Sequence, residues 1–367
     1  QRQMCIRDSY KYIYKLIPAF VIGSIAAMIL VLLVGVNING ARRGLQLGSI
    51  IILPAEFLKL AAAVGVAYIL SLNQIKGRRD VTTRGVVYAT ALTLFCSGLL
   101  FSHGLTNTLL LMAICMSMML IGGVSMRKFL CVVGIFAVVG GGALIYKMKF
   151  KSSGAPTPEA IEIAQLNHED PSTASRDRSE TWKGRISRHF RLNKHLDDIN
   201  DLNKQEQLSY IAQAHGGLFG VGPGNSRENA RLPLAFSDYI YAIVIEELGL
   251  FVGIFILLCY LWLLARAGHI ATKCKQTLPC LLVIGCAIYI VYQALFHMAI
   301  VTGVFPVSGQ PLPLISKGGT SVIVTSIALG VMLSISRHAA FKGDKEAIRE
   351  ELKALPANIQ SENPSQL

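Results

Sequence analysis

Hydrophobic positions in this chain fall in long unbroken runs, and polar positions are confined to the joints between them. A helix needs about 20 apolar residues to cross a bilayer. The runs predict eight spans, over residues 16–38, 56–72, 86–101, 108–124, 129–146, 239–264, 278–304 and 321–335. The expected fold is an all-α polytopic membrane protein with eight transmembrane helices and one large extracytoplasmic loop.

Basic residues give these spans a direction. Arg78 with Arg79, Arg127 with Lys128, Arg266 with Lys273, and Arg337 with Lys342 cluster at alternate joints, which the positive-inside rule assigns to the cytoplasm. The NGARR turn, SHGLTN, the loop and SGQPLPLISKGG then lie outside, and both chain ends inside. Residues 1–14 read as a cytoplasmic or artefactual lead-in, because QRQMCIRDS has neither a starting Met nor the apolar core of a signal peptide. Residues 15–146 hold five helices, 147–236 the extracytoplasmic loop, 237–337 three more helices, and 338–367 a partly disordered cytoplasmic tail. Inside the loop, Trp182, Ile186 and Phe190 recur at four-residue spacing among Lys183, Arg185, Arg188 and Arg191. That pattern fits a basic helix lying on membrane lipids, or one that caps the bundle through its apolar face.

Composition agrees with the membrane reading. Hydrophobic residues make up 52% of the 367 and charged ones 16%, and the mean hydropathy is +0.49, a balance foreign to ordinary soluble domains. The net charge of +13 needs no nucleic-acid partner, since cytoplasmic helix ends produce the same excess. Of eight cysteines, Cys96, Cys115, Cys131, Cys259, Cys280 and Cys286 lie in apolar runs without a CxxC pair and read as small core residues. His103 and His297 are isolated, so no metal cluster is expected.

Acids in apolar helices are the first candidates for chemistry, because a charge in hydrocarbon is costly and needs a reason. Asp238 follows Ser237 at the outer end of the sixth run. Partial burial there would raise its proton affinity, as a general base near neutral pH requires, while the same position also suits a helix N-cap. Glu246 lies eight residues on, about 80° round a continuous helix and about 12 Å deeper. It is a candidate substrate contact below Asp238, and Glu247 faces the other way. Glu56 and Lys59 are three apart on the second span and should pair, with one of them also open to substrate. Arg42, Arg43 and Lys317 place cations beside glycines at the outer face, where they suit a lipid-linked diphosphate or simply face headgroups. The run GGLFGVGPGNS has no preceding strand and no following Lys-Ser/Thr, which argues against a nucleotide P-loop. It reads instead as a flexible lip over the site. No G-x-S-x-G elbow is present.

In order along the chain, NGARRG, LPAEFLKLA, GGLFGVGPGNS, SDYIYAIVIEELG, VTGVFPVSGQPLPLISKGGTS and LSISR resemble the SEDS family, the FtsW and RodA peptidoglycan polymerases. SGQPLPLISKGG looks closer to the FtsW branch of Bacteroidota, whereas Gly44, LPAE and Lys317 depart from the family's usual Trp, QPSE and Tyr. The resemblance implies a ten-helix glycosyltransferase of the bacterial cytoplasmic membrane, here expected without its first two helices. It would join lipid II into glycan strands on the outer face during division. Asp238 falls on the family's catalytic aspartate, with Arg42, Arg43, Glu56, Lys59, Glu246 and Lys317 as substrate-binding candidates. The implied partners are lipid II, a class B penicillin-binding protein transpeptidase and other division-complex membrane proteins, with or without a divalent cation as cofactor. A non-catalytic lipid II flippase or scaffold, or a RodA-like elongation polymerase, are the alternatives.

Overall fold

Glycine and proline breaks, more than hydropathy, decide where helices start and stop in the computed structural model of this chain. The structure describes residues 2–38, 41–47, 50–75, 80–101, 104–150, 203–232, 235–274 and 276–354. The expected interfacial helix around Trp182, the Arg78/Arg79 cluster and His103 lie outside these residues. The helices are α1 (Arg2–Val34), α2 (Pro54–Leu72), α3 (Thr83–Phe101), α4 (Leu105–Ile121), α5 (Met126–Phe150), α6 (Lys204–Gly216), α7 (Ala235–Asp238), α8 (Ile240–Leu248), α9 (Leu250–Lys273), α10 (Thr277–Val301) and α11 (Gly319–Ala354).

Among the described residues, six helices are long and apolar enough to span a membrane: Leu16–Val34 of α1, α2, α3, α9, α10, and Gly319–Arg337 of α11. This is a multi-pass membrane protein. The expected count of eight is not confirmed, because α4 (17 residues) and α5 are not among the six. The sixth expected span is also corrected. It starts at Leu250 instead of Tyr239, since Gly249, with φ of +87°, ends α8 before α9 begins.

One compact unit holds Gln1–Ser125, Ile256–Ala294 and Lys317–Leu367. Helix α2 is its centre, packed by α1, α3, α4 and α11, and 72% of its span is buried against 17% for α9. Pro54 suits the first turn of α2, where its missing N–H costs nothing. Leu53 at the N-cap has no capping side chain, and its backbone N–H donates to Thr320 Oγ1 at 3.2 Å. By contrast, α9 turns Phe251, Phe255, Leu258 and Trp262 outward, the pattern of a helix facing lipid. Where NGARRG was expected as a turn, the chain forms a small antiparallel sheet. It consists of β1 (Val36–Ile38), β2 (Ala41–Leu47) and β3 (Ile50–Ile52), with Ile38 opposite Ala41 and Leu47 opposite Ile50.

The other unit holds Met126–Phe255 and Leu295–Ser316. In it α6 packs on α8, and the glycine run joins them. A Cβ at Gly216 would overlap the Ile245 carbonyl, and one at Gly220 (φ +78°) the Glu247 carbonyl. Backbone fills that space. Val221 N–H donates to Glu246 O at 3.0 Å and Gly222 N–H to Glu247 O at 2.9 Å, while Leu250 N–H donates back to Gly217 O at 3.0 Å. The glycines are therefore not a loose lip. They let a loop approach the broken helix closely enough to satisfy carbonyls that a helix end leaves without partners.

Candidate functional site

The first unit buries one charged cluster. Lys59 Nζ donates to Glu56 Oε1 at 2.8 Å, with the lysine fully buried. Glu56 Oε2 accepts from Tyr289 Oη at 3.2 Å and Gln293 Nε2 at 3.0 Å. The expected ion pair is thus present, extended by two α10 side chains that sequence reasoning missed. Their spacing of four on one apolar helix was the available signal. With both charges saturated inside the bundle, the arrangement can hold α2 to α10. In the same unit Arg42 and Arg43 lie in β2, with Arg42 in register with Asn37, and Lys317 is exposed.

The second unit carries Asp238 and Glu246. Asp238 closes the four-residue α7, and the N-cap of α8 is Tyr239, which makes no side-chain cap bond. The capping role that its position allowed therefore goes to another residue. Asp238 is half-buried, and Ser237 Oγ donates to its Oδ1 at 3.0 Å. Its Oδ2 faces Gly309 so closely that a Cβ there would come to 2.5 Å. Ser316 fixes the same neighbourhood, because its Oγ donates to Ser237 O at 2.6 Å and accepts from Leu312 N at 2.7 Å. Ser237 and Asp238 are thereby held against the 309–316 segment.

Glu246 does not continue a helix from Asp238. The bend at Tyr239 interrupts the path, so the depth and angle expected from an unbroken helix do not apply. Its carboxylate is fully buried and committed to the segment leading into α7. Oε1 pairs with His215 Nδ1 at 3.0 Å and accepts from Arg227 N at 3.0 Å, and Oε2 accepts from Ser226 Oγ. Burial pushes this carboxyl up, but the bonds from Ser226, His215 and the Arg227 and Glu228 backbone outweigh it and hold the group below its usual value. Sequence reasoning missed His215 and Ser226 as its partners. Both flank the glycine run, which was their one signal. For Glu247, no side-chain hydrogen bond or ion pair joins it to another described residue, and its backbone oxygen takes the Gly222 N–H. On α6, Tyr210 donates to Glu206 Oε1 at 2.8 Å, and burial together with that carboxylate pushes its phenol far up, so it stays a donor.

Fold and sites together define a multi-pass helical membrane protein with a half-buried aspartate on a short helix before a glycine-broken one. The chain belongs to the FtsW/RodA/SpoVE cell cycle protein family, whose profile matches residues 3–340. It is 28% identical over 321 residues to the probable peptidoglycan glycosyltransferase FtsW of Dichelobacter nodosus, covering 84% of this chain and 70% of that protein. The protein of the same name from Nitrosococcus halophilus is 30% identical over 339 residues, covering 89% and 76%. In fold, the chain is similar to one in a solved peptidoglycan synthase complex, with a TM-score of 0.64 and 24% identity over 90% of this chain and 83% of that one.

Proposed function

We propose that this chain is a peptidoglycan glycosyltransferase of the FtsW type that polymerises lipid II during cell division, with Asp238 as general base. The observation that supports the reading is the half-buried Asp238 carboxylate, held by Ser237 Oγ at 3.0 Å and lying against Gly309. The names of its relatives support the reaction class. In the proposed step Asp238 takes the proton from the 4-hydroxyl of an acceptor GlcNAc. That oxygen attacks C1 of the donor MurNAc, and the C1–oxygen bond to diphosphate breaks with inversion. Undecaprenyl diphosphate leaves as an anion, and Arg42, Arg43 and Lys317 are proposed to stabilise it. The setting is the cytoplasmic membrane with the site facing outward, beside a class B penicillin-binding protein transpeptidase.

The test supplies lipid II to the protein purified with that partner and follows glycan length. Removing a general base typically costs about 100- to 10,000-fold. Asp238→Asn should therefore lose polymerisation and keep lipid II binding. Parental polymerisation by Asp238→Asn would sink the base assignment. A parent that binds or moves lipid II without making glycan would favour a flippase or scaffold.

A further inference from the structure

Two large apolar side chains of the glycine run stand outside any packed core. Leu218 is 55% and Phe219 81% exposed, yet the backbone that carries them is closely held. Gly217 O accepts from Leu250 N at 3.0 Å and Leu218 O from Phe251 N at 3.4 Å. The loop thus supplies acceptors for the first N–H groups of α9, which have no partner within their own helix. A Cβ at Gly249 would overlap the Leu218 carbonyl and the Phe219 backbone, so the two chains are in direct contact there. The Phe219 ring lies against Phe251, with centroids 5.4 Å apart. Phe251 and, one turn on, Phe255 are themselves exposed. The apolar surface of α9 therefore continues past its first residue onto a loop whose backbone is fixed to that helix.

We propose that Leu218 and Phe219 form an interfacial anchor whose partner is bilayer phospholipid. Helix α9 is apolar enough to span a membrane over Leu250–Lys273. At 1.5 Å per residue that span measures about 36 Å, against a hydrocarbon core of about 30 Å. Its Leu250 end therefore lies where acyl chains give way to headgroups, and the loop bonded to that end shares the level. Aromatic side chains are favoured there, and apolar groups at this boundary bury about 5–10 Å deep. Continuity selects lipid as the occupant, because Phe219 rests on a ring of the helix face that already meets lipid. Val221 and Gly222 of the same loop donate to the Glu246 and Glu247 carbonyls, so the anchor also sets how deep the end of α8 lies. It is independent of the role proposed for Asp238.

The experiment places a single tryptophan in the loop of the full chain, in a background carrying Trp182→Phe and Trp262→Phe, which removes both native tryptophans. Phe219→Trp is reconstituted at high lipid-to-protein ratio into phosphatidylcholine vesicles free of lipid II, with bromine on the acyl chains either near the glycerol or near the chain ends. Phe255→Trp, within the span, is the reference. Phe219→Trp should lose at least about half as much emission to brominated lipid as Phe255→Trp does, and more to bromine near the glycerol than to bromine near the chain ends. Acrylamide added to the water should quench it less than it quenches free tryptophan. Full quenching by acrylamide with none by either lipid overturns the proposal. Shielding from acrylamide without lipid quenching also overturns it, because a second copy of the chain then covers the loop. So does shielding that appears only when the transpeptidase is added. Should Phe219→Trp fail to fold, Leu218→Trp decides by the same outcomes.

Discussion

Glu56 and Glu246 are both buried carboxylates on helices, and the chain stabilises them by different means. Glu56 sits in the first turn of α2, where the helix dipole favours negative charge. One buried cation, Lys59, and two neutral donors complete its shell. Glu246 sits near the C-terminal end of α8, where the dipole opposes it. Its shell is made by the preceding segment, with two side chains and backbone N–H groups from Arg227 and Glu228. The first carboxylate thus depends heavily on one partner. The second distributes its dependence over a folded loop, and so ties that loop's order to the helix end.

The sharpest way to break this contrast is to remove the one cation paired with Glu56. Lys59→Met should destabilise the detergent-solubilised protein by about 3–5 kcal/mol, because an uncompensated carboxylate stays buried. Adding Glu56→Gln should restore much of the loss in denaturant melts. If the single variant melts like the parent, Lys59 is not the partner on which Glu56 depends. Next in size, Gly249→Ala should cost about 2–4 kcal/mol, combining an unfavourable positive φ with displacement of the Leu218–Gly220 backbone. It should also speed proteolysis at the 217–222 loop. Ser226→Ala removes one donor of several and should cost about 1.5 kcal/mol, less than either change above. A Ser226 variant as damaged as Lys59→Met would show that the loop's shell is not distributed.

The smallest effect is on pH. Glu246 is held below its ordinary value in the fold, so its contribution is complete above the unfolded value of about 4.3. As pH falls through the lower folded value that contribution is lost. The melting temperature of the parent should therefore drop more steeply below about pH 4 than that of Glu246→Gln. Parallel curves would mean that the carboxylate is not the group that titrates.

Local pairing was legible in the sequence, and distant pairing was not. The Glu56–Lys59 contact follows from a spacing of three on one helix, and the apolar runs locate α2, α3 and α10 within a few residues. Tyr289 and Gln293 lie more than 230 residues from Glu56, and their spacing of four on an apolar helix marks them as a pair without pointing to Glu56. The break at Gly249 was hidden because residues on both sides are apolar, so hydropathy runs straight through it. The glycine after Glu-Leu was the cue, since helices commonly end on a left-handed glycine. For Asp238, its place at the mouth of an apolar run was readable, but Gly309 beside it and Ser316 on the Ser237 carbonyl come from a segment roughly 70 to 80 residues away and meet these two residues only in the fold.

The close fit of the glycine run to α8 also has a genetic side. Any single-base change that replaces glycine by another amino acid yields Ala, Ser, Cys, Val, Asp, Glu, Arg or Trp, and each of these carries a Cβ. At Gly216, Gly220 and Gly249 a Cβ overlaps backbone atoms rather than a side chain that could swing aside. In a saturation library selected for function, these three codons should tolerate synonymous changes and almost nothing else, while Gly268, with open space around it and no positive φ, should vary more freely.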